Sequence, residues 1–228
     1  MKKFLILAAV FFLLHAGAAR AQIDPTEKPA ATKPLHIAML YQKLTRQKPD
    51  FENWVEHTPD FQNAALNERA DILQRKTKEL ETAYHLLTPM EPVVLEIPVR
   101  ISSYSQQQRG FLITSFSDMT FFGYEYAGNN YAVIPNKIAE YQWLKSPPDL
   151  APAIMRETDN GQNAKIVMTL SPLSAHAEPL AINGRNYRLV MTDIYKMEIW
   201  SKDGTKIVWD TQMNHPGSRE NKLLNLYQ

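Results

Sequence analysis

Apolar residues along this chain follow three successive rhythms. Phe4 to Leu14 is an unbroken apolar run behind Lys2 and Lys3. Between residues 35 and 90 apolar positions recur every three or four residues, the helical period. From residue 91 to residue 211 they alternate in short segments bounded by turn residues, the strand period.

The helical part begins at Leu35, where Leu35, Met39 and either Leu40 or Lys43 share one face of a short helix ending near Pro49. Asp50 is placed to cap one or two further turns that bury Phe51, Trp54 and Val55. Leu66, Ala70, Leu73, Thr77, Leu80, Tyr84 and Leu87 then step by four and three, an a/d seam. Pro59-Asp60 offers a start and Pro89 a stop, and Asp71, Arg75 and Glu79 follow at intervals of four on the outer side. Such a seam suits a coiled-coil arm for a partner, or one long helix laid on its own domain. Its shortness and its central Thr77 favour the second.

After Pro89 the period falls to two. Val93, Leu95, Ile97, Val99 and Ile101 make one face of a strand, and Pro98 marks it as an edge or a bulge. Further strands are predicted over 111–116, 120–126, 131–135, 165–170, 180–182, 186–200 and 206–210, with a short helix over 150–157. Ala127-Gly128-Asn129-Asn130 and Asn183-Gly184 read as hairpin turns. The expected fold is therefore α+β: N-terminal helices packed on an antiparallel β-sandwich or a strongly curved sheet.

The first rhythm changes the picture most. A basic start, an apolar core of 11 residues and the small-residue site Ala19-Arg20-Ala21 have the layout of a secretory signal peptide. The core is too short to span a bilayer, which takes roughly 20 residues. The expected organisation is a signal peptide (1–21), a flexible Pro-containing linker (22–34), a helical segment (35–90), a β-rich domain (91–211) and a polar tail (212–228). The expected compartment is the periplasm or the cell exterior, with no transmembrane helix after cleavage.

Of the 25 Lys and Arg, Lys2, Lys3 and Arg20 belong to the leader, so the exported chain holds 22 against 24 Asp and Glu, a net charge of −2. No basic block marks a nucleic-acid partner. With 0 Cys, thiol catalysis, disulfides and Cys-based metal sites are excluded, and stability must come from packing. No cofactor motif is present: the phosphate-cradling glycine loops, the nucleophile elbow and the zinc-protease signature are all missing.

Three groups remain as candidate chemistry. Glu81 and His85 lie four apart on the long helix, a spacing that can hold a metal but that also arises as an ordinary solvated pair, and no metal site is expected there. Asp193 interrupts the row Tyr187, Leu189, Met191, Tyr195, Met197, Ile199. A regular strand would bury its carboxylate, whereas a bulge at Thr192-Asp193 would turn it outward. An outward surface group, a structural ion pair and an active-site carboxylate are the open readings. Finally, Phe122, Tyr124 and Tyr126 share one face of a strand, and Tyr131 follows on the next. Exposed, these rings make a platform for a sugar or a protein; buried, they are core.

The leader, the helical entry with Phe51, Trp54 and Asp60-Phe61, and the strand-rich remainder together resemble the uncharacterised exported families of bacteria. That resemblance implies no activity and no site residue. The expected function is a non-enzymatic envelope module that contacts a protein or a glycan. The alternatives are a periplasmic hydrolase with a carboxylate site at Asp193 and a scaffold subunit of an envelope assembly.

Overall fold

The computed structural model describes residues 28–201, 204 and 206–210. The predicted leader and polar tail lie outside the described residues. Four helices come first: α1 (Pro34–Thr45), α2 (Phe51–Glu56), the single turn α3 (Pro59–Gln62) and α4 (Arg69–Leu86). The strands β1 (Val93–Val99), β2 (Gly110–Leu112), β3 (Phe122–Tyr126), β4 (Asn129–Pro135) and β5 (Trp143–Lys145) follow. Helix α5 (Ala151–Glu157) then leads to β6 (Ala164–Ala175), β7 (Leu180–Ile182), β8 (Arg185–Trp200) and β9 (Lys206–Asp210).

The fold is α+β. One strongly curled sheet runs in the order β1-β6-β8-β4-β3, with β7 and β9 also paired to β8. Strands β2 and β5 form a small second sheet. Of the two expected β architectures, the curled sheet is the one realised. Its pairing is mixed rather than wholly antiparallel, because β4 and β8 run parallel with Val133 opposite Val190. The chain between them passes through β5, α5, β6 and β7, so no tight turn imposes opposite directions.

The concave face is built in rows. Leu95 faces Met168, which faces Met197; Ile97 faces Ile166, which faces Ile199; Val93 faces Leu170, which faces Ile194. These rows stay in phase only because Tyr195 is an extra residue on β8: Leu170 pairs with Ile194 but Thr169 pairs with Lys196. That bulge lets Ile194 and Met197, three apart, both point inward. Helix α1 lies in the hollow, with Ile37 through Gln42 all buried. Six consecutive buried residues cover every side of a helix. At about 1.5–3 kcal/mol for each large apolar side chain, α1 is a principal contributor to the core.

Three boundaries differ from expectation. The predicted long helix is broken: α3 ends at Gln62 and α4 starts at Arg69. Thr58 caps α3 and Asp50 caps α2, so the capping residues make short separate turns. The predicted linker is docked over residues 28–33. There Thr32 donates its N–H to the Val94 carbonyl (2.9 Å) and accepts the Val94 N–H on its hydroxyl (2.8 Å), while Lys28 pairs with Glu96 at 2.5 Å. This covers the outer edge of β1 against unwanted strand pairing. The β3–β4 hairpin closes through two residues, Ala127 and Gly128, both left-handed, rather than four.

Candidate functional site

The aromatic row of β3 turns toward the helices, not away from them. Phe122, Tyr124 and Tyr126 alternate with exposed Gly123 and Glu125, are half-buried, and pack on the core. The Tyr126 ring meets the Trp54 ring of α2 edge-on at 5.8 Å. Trp54 meets Phe51 at 5.6 Å, and Phe51 meets Tyr84 of α4 at 5.6 Å. A chain of four rings thus ties the hairpin through α2 to α4. Tyr131, on β4, is fully buried. It is a core residue and cannot belong to an exposed platform; the platform reading is left with the half-buried rings of β3.

Tyr131 brings with it a group that the alternation pattern hides. Its ring meets Tyr41 of α1 at 5.8 Å in a T-shaped contact. The guanidinium of Arg188, on β8, lies 6.0 Å from the Tyr41 ring and 5.9 Å from the Tyr131 ring. Arg188 also donates to Asn129 Oδ1 at the start of β4. The Tyr41 hydroxyl is directed to the carbonyls of His176 and Ala177, in the irregular link between β6 and β7. Burial pushes the Tyr131 phenol up to about 12, partly offset by the Arg188 charge. Burial also raises Tyr126, Tyr124 and Tyr41 above the ordinary phenol value. All these phenols are protonated donors at neutral pH.

Asp193 sits on the other face of β8. The residues turned to the core are Val190, Thr192 and Ile194, then, past the bulge, Met197 and Ile199. The phase slip expected at Thr192-Asp193 therefore occurs two residues later, at Tyr195. Asp193 is half-buried, stands opposite Ser171 and accepts a hydrogen bond from the Asn136 amide at 3.3 Å. Glu81 and His85 are both exposed on α4. The same inverted phase explains why Arg188 escapes sequence reasoning. A regular strand with Tyr187, Leu189 and Met191 inward puts Arg188 in solvent; the bulge sets the even-numbered residues inward instead.

Helix α4 uses only part of its seam. Leu73, Thr77, Leu80 and Tyr84 are half-buried, whereas Ala70 is exposed and Leu66 is 83% exposed. No residue of α4 is fully buried. The Lys76 ammonium joins α3 to α4 through Asp60 (3.3 Å) and also meets Glu79 (3.2 Å).

No family model, curated protein or solved structure matches this chain. Among the described residues, no helix is long and apolar enough to cross a membrane.

Proposed function

We propose that the chain is an exported module of the bacterial cell envelope that works by contact with a protein or a glycan rather than by transforming a substrate. Export rests on the leader, with its basic start, short apolar core and small-residue site. The observation that carries the contact function is the state of α4. An 18-residue helix with no fully buried residue is held to the body by one half-buried face and the ring chain through Phe51. Large apolar residues flank it in solvent, Leu66 at its entry and Met90 just past its exit. Helices in globular proteins owe most of their stability to a buried apolar face. This one commits little of its surface to its own domain and leaves the remainder outward.

The reading is tested by placing a photoreactive residue on the exposed side of α4, at Arg75 or Lys78, and irradiating intact cells. A discrete adduct from those positions, absent when the probe replaces half-buried Leu73, is the expected result. Equal labelling of many proteins from all three positions would contradict it.

A further inference from the structure

Among the described residues, Arg188 is a half-buried cation with no carboxylate in an ion pair with it. Its guanidinium carries five N–H donors. One is taken by Asn129 Oδ1, and the two flanking rings of Tyr41 and Tyr131 accept no conventional hydrogen bond. Among the described residues Arg188 forms no ion pair. Glu178, whose charge is felt at the Tyr41 phenol, is exposed and is not paired with it. A half-buried charge left in this state is expensive unless something meets it.

A second, independent observation lies beside it. The Tyr131 side chain is fully buried, yet its hydroxyl has no hydrogen-bond partner among the described residues. Buried hydroxyls are nearly always satisfied. The guanidinium N–H groups can only donate, and the protonated phenol can donate as well as accept. An acceptor with more than one oxygen would meet these donors together. A carboxylate matches the planar guanidinium in a two-point contact and carries one negative charge against one positive charge. A doubly charged phosphate would leave half its charge unmatched by this one guanidinium.

We propose that Arg188, held by Asn129 and stacked against Tyr41 and Tyr131, is a binding site for a carboxylate. The proposal rests on reading the chain as a binding module, and it names the chemistry of the group bound at the turn end of the β3–β4 hairpin. The guanidinium supplies the charge-assisted contact. The Tyr41 and Tyr131 rings lie within 6.0 Å of it, and the buried Tyr131 phenol is a further donor beside them.

The experiment is a nuclear magnetic resonance titration of the exported chain, following the Arg188 side-chain N–H signal. The probes are acetate, glucuronate against glucose, and N-acetylglutamate α-amide against N-acetylglutamine α-amide. Saturable shifts with the three acids and none with the two neutral probes are expected. Arg188→Gln should weaken binding at least about tenfold and Arg188→Lys by less, because the ammonium keeps the charge and loses the two-point geometry. Tyr131→Phe retains the ring and should weaken binding by about threefold. Tighter binding of glucuronate than of N-acetylglutamate α-amide points to an acidic sugar as the source, and the reverse to an acidic peptide; either outcome supports the site. Absence of any saturable shift with the folded chain overturns it, as does equal binding by Arg188→Lys, Arg188→Gln and the parent. A discrete α4 crosslink alongside such a failure would leave the module reading standing and remove only the carboxylate site.

Discussion

The hydroxyl of Tyr41, in the middle of α1, lies 2.9 Å from the carbonyl oxygen of Ala177, 136 residues further along the chain. The same hydroxyl lies 3.0 Å from the carbonyl of His176. One phenol thus fastens the central helix to the point where the long β6–β7–β8 hairpin loses its regular ladder. Tyr41→Phe keeps the ring and removes this tie. The expected cost is about 1 kcal/mol, read as a lower urea midpoint with an unchanged slope. Tyr41→Ala also removes the ring from the hollow and should cost about 3–5 kcal/mol.

Two glycines should respond in opposite ways. Gly161 has φ +84°, and a Cβ there would stand 2.3 Å from the Ile101 carbonyl oxygen. Gly161→Ala combines left-handed strain with a backbone clash and should cost about 2–4 kcal/mol. Gly123 lies in β3 with its nearest neighbour, the Tyr187 ring, 3.9 Å from where a Cβ would be. Gly123→Ala should be tolerated, or gain a few tenths of a kcal/mol through the unfolded chain. Thermal melts of the two variants side by side check the contrast.

Alkali should find Tyr131. Its pKa is pushed up to about 12 by burial, so the native state favours the neutral phenol. A raised folded value means a stabilising contribution that is complete below the unfolded value of about 10 and lost as the pH climbs toward 12. Tyr131→Phe removes the titrating group and should lessen the fall in melting temperature across that interval. If the fall is unchanged, Tyr131 is not the group that senses alkali.

Acid should find Glu96. Hydrogen bonds from Lys165 and Lys28 hold its carboxyl below the ordinary carboxylate value, with Nζ–O distances of 2.8 and 2.5 Å. A lowered folded value gives stability that is present above the unfolded value of about 4.3 and lost as the pH falls through the folded one. The group is near the surface, so the contribution is below about 1 kcal/mol and shrinks with salt. Glu96→Gln should flatten the stability profile in that acid range, most visibly at low ionic strength.

Much of this architecture can be read from the pattern of residues, and the failures share a cause. The period change at Pro89, the Asn183-Gly184 turn and the Asp50 cap each depend on a few neighbouring residues, and each is where the pattern puts it. The parallel β4–β8 pair, the docking of Thr32 on Val94 and the bulge at Tyr195 depend on partners far along the chain. Periodicity carries no record of them. The Tyr195 bulge matters most for the candidate site. By shifting the phase of one strand it turns Asp193 to the outer face and Arg188 to the rings.

The proposed function has this chain acting outside the cytoplasm by touching a constant neighbour. Its most direct test is the mass spectrum of the species formed when a photoreactive residue at Lys78 is activated in intact cells and the envelope fraction is analysed. The expected species is a chain that begins at Gln22, joined to one partner. Full-length chain recovered from the cytosol, still carrying Met1 to Ala21 and joined to nothing, would contradict it.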